Sequence, residues 1–495
     1  MAVNNEQQKQ YRCLCIVLQA VNETCKTRSD IRYASSSTCS DAFLTGYQKL
    51  LCKLAQLLDN EKGGDSITAL VALKGSRGPD YLFVSNARKT PELERTKLFF
   101  SQLLEYVGGN PEELAPKALQ KQVLVRIFEF NLPRLEVYLN ELSTALEACI
   151  DCCQNSQDSE SRDAIGQLKT LQDRAQFPRD MTSSSNAKQR FLRNCEDLIK
   201  AIQHSQASEI DNIIHKHISD DAPESSFHWF QLRHYLGRLH SFRQASEIIV
   251  NASKEGSSLF RNFSVDYVPS SRLQKFSRPQ ERYSSTDEII EAAFPEYDLS
   301  HYESDIAELR DHGLDKQIQK QEQEMPSKTQ VHCEINLHDH LTKNDKTRPC
   351  DFWNDVMFIA TSKPTCRLCY YYFRDDDNDF EVQPPHMNLY PKWRLPNVED
   401  PNDEASIERR EELMDDILGH MQEDTLKILQ RKFPQWKRND SRTDSRNWPS
   451  SSREGADSRT PLPQHHMYPP PQVIDEDSYV TDIKTDEFCG FAVSK

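Results

Sequence analysis

The sequence predicts an α/β protein in which an all-α N-terminal domain precedes a smaller strand-containing core, with a disordered tail behind it. Three observations point there. Glycine is scarce, at 14 in 495 residues, and long segments of the first two hundred residues place apolar side chains at helical spacing. The stretch 355–373, DVMFIATSKPTCRLCYYYF, reads as strand, turn and helix. After Trp436 the chain becomes KRNDSRTDSRNWPSSSREGADSRTPLPQ and then PPPQ, with too little apolar surface to offset the entropy of ordering it.

Ala42 to Leu58 carries Phe43, Leu44, Tyr47, Leu50, Leu51, Leu54 and Leu57 at helical spacing. Thr96 to Val107 and Lys117 to Cys153 repeat the pattern, and Pro133 marks a start or kink in the second. The polar stretch Gln154 to Ser185 joins helices. Asn186 to His217 supplies another, with Leu192, Ile199, Ile202, Ile210 and Ile213 on its apolar face. A further helix spans Ser226 to Ala252, and Phe260–Val268 alternates as a strand. Residues 270–328 are polar and broken, with an acidic helix-like run from Asp287 to Leu309. The expected divisions are a helical domain over 1–220, a connecting region with the first core elements over 221–330, the core over 331–435 and the tail over 436–495. Nothing in the helical domain looks catalytic, and its expected role is to scaffold or bind a protein partner.

The formal charge is -16, from 61 basic and 77 acidic residues, which ill suits non-specific binding of a phosphate backbone. Between Trp229 and Arg282, however, basic residues outnumber acidic ones. No basic segment followed by an apolar one opens the chain, and no stretch approaches the roughly 20 apolar residues that span a bilayer. The expectation is an intracellular protein, cytoplasmic or nuclear and not secreted. Fourteen cysteines then read as free thiols, or as metal ligands where they cluster. Cys13/Cys15 and Cys149/Cys152/Cys153 lie in helical sequence without ligand partners at metal-site spacing and read as packing residues.

Chemistry concentrates in two segments, TQVHCEINLHDHL at 329–341 and the strand–turn–helix at 355–373. Val356–Ala360 is an apolar strand-type run, ended by Thr361, Ser362, Lys363 and Pro364. Cys366 and Cys369 then fall on the first turn of a helix, side by side at its positive end, where thiolates and a cation are favoured. A catalytic zinc ion (Zn2+) takes three protein ligands and keeps one position for water. His332 supplies the third ligand. Glu334, two residues on, reaches the open position without being a ligand, takes a proton from the water and hands it to a leaving amine.

His-x-Glu followed by Pro and Cys-x-x-Cys is the signature of zinc deaminases. Through His332-Cys333-Glu334 and Ser362 to Cys369, the chain resembles the cytidine-deaminase-like superfamily. More narrowly, it resembles fungal proteins with a deaminase-like domain behind a helical N-terminal region. The Trp-containing stretch HMNLYPKWRLP at His386–Pro396 is similar too. Thr365 departs from the pattern, standing where proline directly precedes the first cysteine. The resemblance implies a three-layer α/β/α core with a mixed sheet whose central strand includes Val356–Ala360. Helices from Ser406 to Phe433 would pack on that sheet, with the N-terminal helical domain outside. It also implies hydrolytic deamination of a nucleobase, free or within a nucleic acid, with Trp393 and Tyr390 as candidates to stack on the base and core packing as the alternative for each.

Other readings stand beside this one. Cys366 and Cys369 are also compatible with two buried thiols, or with a structural zinc site shared with Cys333 and Cys350. His338 and His340 lie in so polar a stretch that solvation is expected of them. Asp375, Asp376, Asp377 and Asp379 lack the glycine and distal glutamate of an EF-hand loop and read as a solvated loop. The rival function is a catalytically inactive, zinc-stabilised interaction protein.

Overall fold

TALVALK, at Thr68–Lys74, is apolar or small at almost every position, which suits a strand buried on both faces. In the computed structural model, which describes residues 5–26, 44–155, 159–178, 184–205, 209–219, 223–276, 283–375 and 379–432, it is β1, the middle strand of the main sheet. It pairs antiparallel with β2 (Pro79–Ser85), Leu70 facing Phe83, and antiparallel with β6 (Phe358–Thr361), Leu70 facing Ala360. β3 (Ser264–Val268) runs parallel to β2, and β7 (Glu381–Val382) parallel to β6. The order is β3-β2-β1-β6-β7, a mixed sheet. A second, two-stranded pair joins β4 (Gln274–Lys275) to β5 (Lys328–Thr329).

Side chains alternate across the main sheet with a period of two, so each strand feeds two cores. Ala69, Val71, Val84, Met357 and Ile359 face one way, against Cys333, Leu337 and Leu341. Leu70, Ala72, Tyr81, Phe83, Phe358 and Ala360 face the other, into the core of the helical region. Helices on both faces make the three-layer α/β/α arrangement. Gly78 closes the β1–β2 hairpin because a Cβ there would stand 2.6 Å from the Asn262 carbonyl.

The helices run α1 (Asn5–Lys26), α2 (Gly46–Leu58), α3 (Thr90–Gly109), α4 (Pro116–Phe130), α5 (Leu132–Asn155), α6 (Ser159–Ala175), α7 (Ser185–Ser205), α8 (Glu209–Ser219) and α9 (Pro223–Glu255). After the strand β3 come α10 (Thr286–Ala293), α11 (Glu303–Asp311), α12 (Leu314–Glu324), α13 (Cys333–Lys343), α14 (Arg367–Asp375) and α15 (Glu404–Arg431). α2 lies on the helical face of the sheet, and α13 covers the opposite face. Pro133 sits in the first turn of α5, where its missing N–H costs nothing. The break before it is filled by Asn131, whose amide donates to the Leu57 carbonyl at 3.1 Å.

Several expectations change. The N-terminal region is largely helical, yet it also supplies β1 and β2, because an apolar run of seven residues suits either element by pattern alone. The polar stretch 154–185 contains α6, held by a sparse stripe of Ala164, Leu168, Leu171 and Ala175. β6 is an inner strand, but β1 is the central one. α15 packs on α1 and α14 rather than on the sheet. α1, expected on the outside, is apolar from Cys13 to Leu18 and lies buried among α10, α12 and α15. The hydrophobic core beneath α2 to α9 takes in Phe358 and Ala360 of β6. The expected tail, 436–495, lies outside the described residues. No helix among the described residues is long and apolar enough to cross a membrane.

Candidate metal centre

The chain entering the site is pinned before it arrives. Gln330 donates its N–H to the Lys392 carbonyl at 2.7 Å and accepts from the Arg394 N–H at 3.0 Å, so the strand-like approach to His332 is fixed by the loop after α14. His332 is the N-cap of α13, in extended conformation, and its carbonyl accepts from the Asn336 N–H at 2.9 Å. Its ring does not cap the helix. Asn86, just beyond β2, instead accepts the Cys333 N–H at 2.7 Å. Glu334 stands on the first helical turn, where the helix dipole favours a carboxylate.

The second segment is held as firmly. The Cys366 carbonyl receives the Tyr370 N–H at 2.8 Å, opening α14, and Cys369 stands three residues on. Thr365 uses its hydroxyl to donate to the Gln383 carbonyl at 2.8 Å, and its own carbonyl accepts the His386 N–H at 3.0 Å. Threonine in place of proline therefore adds a buried hydrogen bond and leaves the turn closed. Arg367, fully buried, binds Asp424 of α15 at 2.6 Å and donates to the Met387 carbonyl at 3.0 Å.

These two frames bring His332, Glu334, Cys366 and Cys369 together, all buried, with one ligand atom from each lying within 4.8 Å of the others. The His332 Nδ1 is 3.5 Å from the Cys366 sulfur and 3.4 Å from that of Cys369. Tetrahedral bonds of the lengths zinc makes to nitrogen and sulfur separate such ligands by roughly 3.5 Å. The donor set is therefore compatible with a metal ion in both chemistry and spacing. Burial works to raise the Cys366 thiol, but hydrogen bonding from Cys369 and the adjacent His332 bring it down to about 6. Burial and then the Cys366 sulfur push Cys369 well up, and His332 is raised because Cys366 outweighs the effect of burial. Of the two sulfurs, Cys366 is the one favoured as thiolate.

A cavity of about 590 Å³ opens over the cluster, with His332, Glu334 and Cys366 on one wall. Tyr390 also lines it, its ring centroid 6.5 Å from that of His332. Trp393 does not: it is buried behind the cluster, 6.2 Å from the Tyr11 ring of α1, whose hydroxyl donates to the Trp393 carbonyl at 3.3 Å. Cys333 is buried and donates to Glu334, whereas Cys350 is exposed on the turn Pro349–Asp351 and stands outside the cluster. His338 is buried rather than solvated, hydrogen-bonded to the Tyr372 hydroxyl at 2.8 Å on the sheet-facing side of α13. His340 lies half-buried beyond it. Asp375 pairs with His420, and residues 376–378 of the acidic run lie outside the described residues.

Other parts of the cavity lining come from elements with no motif. Arg134 and Tyr138 of α5 and His234, Tyr235 and Arg238 of α9 face the same cavity, as does Asn86. The basic excess after Trp229 was visible in the sequence, but nothing local tied it to the cysteines.

Residues 331–397, which hold all four cluster residues, match the family model described as an OTT_1508-like deaminase. Over these residues the chain is similar to that deaminase family. No curated protein and no solved structure matches the chain. The deaminase-like segment covers α13, β6, α14, β7 and the loop through Trp393, while β1, β2, α5 and α9 lie outside it.

Proposed function

We propose that this chain is a zinc-dependent hydrolytic deaminase of a nucleobase, with His332, Cys366 and Cys369 as metal ligands and Glu334 as the catalytic proton shuttle. One observation carries this reading: three donors of zinc-binding type and one spare carboxylate, from two separate segments, converge within 4.8 Å on the wall of a cavity. A zinc ion bound there supplies a Lewis acid that brings the pKa of a coordinated water towards neutrality.

The protein's own residues do the rest. Glu334, buried at the cavity wall, accepts a proton at its carboxylate and returns it to the departing amine. Its place on the first turn of α13 sets the carboxylate at the wall of the cavity. Asn86, by holding the Cys333 N–H, sets where His332 and Glu334 stand relative to each other. Tyr390 offers its ring as one face for the base.

The test is metal content and ammonia release measured together on the purified full-length protein. Glu334→Ala is expected to keep about one zinc per chain and to release no ammonia from any aminopurine or aminopyrimidine substrate the wild type accepts. Cys366→Ser is expected to lose the zinc. Zinc content unchanged in Cys366→Ser overturns the metal assignment. Stoichiometric zinc with no ammonia from any nucleoside, nucleotide or single strand favours an inactive interaction protein.

A further inference from the structure

The approach to the metal centre carries one polar side chain whose oxygen the fold leaves unpaired. Gln330 is 4% exposed and lines the cavity, two residues before His332. Its backbone N–H and carbonyl are both spent, on Lys392 and Arg394, so its place is fixed. Its side-chain oxygen is buried and accepts no hydrogen bond from any described residue. Of the described side chains with such an atom, Gln330 alone lines this cavity. Asn86, the other carboxamide on the wall, is engaged at both ends. Its oxygen accepts the Cys333 N–H, and its nitrogen donates to the Gly64 carbonyl at 2.9 Å.

Residues two apart in an extended chain point the same way. Gln330 and His332 accordingly both line the cavity, while Val331 between them packs into the core behind. The Ser271 hydroxyl accepts the Val331 N–H and donates to its carbonyl, each at 3.0 Å, which holds the stretch in place. The last torsion of a glutamine is soft, and no hydrogen bond holds this oxygen, so either end of the amide can turn to the cavity. A buried acceptor without a donor destabilises the free protein, and native interiors keep few of them. A carboxamide presents an acceptor and two donors in one plane, the pattern with which glutamine pairs to the edge of a base. Around it stand the metal ligands and Tyr390, whose ring offers a stacking face. We propose that Gln330 is a specificity-determining residue that hydrogen-bonds the ring edge of the nucleobase held against the metal centre. The unpaired oxygen is the stability given up for that contact. The inference rests on the deaminase reading for the substrate being a nucleobase.

Gln330→Met keeps the length of the side chain and removes both hydrogen-bonding ends. Full-length, zinc-loaded wild type and variant are titrated with cytidine, adenosine and guanosine, with ammonia, zinc content and the ligand-free Tm measured alongside. The wild type is expected to prefer one nucleoside. The variant is expected to keep its zinc and an equal or higher Tm, because an apolar group of similar shape replaces an unpaired polar one. Its affinity for the preferred nucleoside is expected to fall about tenfold or more, the worth of a base-edge pair, and its preference among the three to shrink with it. Unchanged affinity overturns the proposal, as does a wild type that binds none of the three or all three alike. A Tm lower than that of the wild type by more than about 2 °C overturns it too, because it assigns Gln330 to the fold. Affinity lost in the variant, with no ammonia from either protein, leaves this inference standing and removes the deaminase reading. Ammonia released by both at the same KM removes the inference and leaves that reading.

Discussion

Asn86 accepts the backbone N–H of Cys333 at 2.7 Å, joining the end of β2 to the first residue of the helix that carries Glu334. The N–H is a buried donor at a helix start, with no carbonyl of its own helix to meet it. Asn86→Ala leaves it unpaired, at a cost of about 1–3 kcal/mol. Thermal unfolding should show that loss. Zinc affinity, followed by chelator competition, should fall about tenfold, because a supporting hydrogen bond orients the ligand beside it. Unchanged affinity would mean that His332 is positioned without this bond.

Arg367 and Asp424 tie the cysteine helix to α15. Arg367 is wholly buried, so removing its carboxylate partner leaves an unpaired charge in the interior. Asp424→Ala should destabilise the fold by roughly 3 kcal/mol, measured by denaturant unfolding. Loss of less than about 1 kcal/mol would show that the Met387 carbonyl and Tyr371 hydroxyl suffice for the guanidinium.

Tyr390 and Trp393 are three residues apart and should behave differently. Tyr390 lines the cavity, so Tyr390→Ala should raise KM for a nucleobase substrate about tenfold with little change in Tm, stacking on a base being worth about 1–3 kcal/mol. Trp393 is 1% exposed and packs on Tyr11, so Trp393→Ala should cost roughly 3–5 kcal/mol of stability instead. Equal effects of the two on Tm would contradict the placement.

His240 gives the pH dependence a sign. Burial, then Arg243 and Lys53, lower it to about 4 from an ordinary value of 6.5. Above pH 6.5 it is neutral whether folded or unfolded and costs nothing. As pH falls towards 4 only the unfolded chain binds the proton, so stability declines, by up to about 3 kcal/mol at 1.36 kcal/mol per unit. Denaturant midpoints between pH 7 and 4 should fall for the wild type and flatten for His240→Gln.

The parts of the site legible in the sequence are those whose spacing is short. His332 and Glu334 are two residues apart and Cys366 and Cys369 three, so local geometry alone sets which way they point. What stayed hidden depends on distant pairing. β1 meets β6 through Leu70 and Ala360, and no periodicity in TALVALK says that its partner lies beyond residue 357. Asn86 has no motif, because its contribution is to a backbone group across the sheet. Trp393 read as a stacking candidate because an irregular segment gives no rule for the direction of a side chain. α1 looked like an outer helix for lack of any local sign that α15 would cover it.

The burial of α1 against α15 has a consequence for how the protein is made. α1 is complete at Lys26 and α15 begins at Glu404, so 404 − 26 = 378 residues must be translated before its last neighbour starts to emerge. At about 5–20 residues per second this is roughly 20–75 s during which a helix bearing Leu14, Ile16, Val17 and Leu18 lacks its full cover. β1, complete at Lys74, waits until Phe358 for β6. The segment 331–397, moved alone to another chain, would leave the β6 edge that β1 covers unpaired.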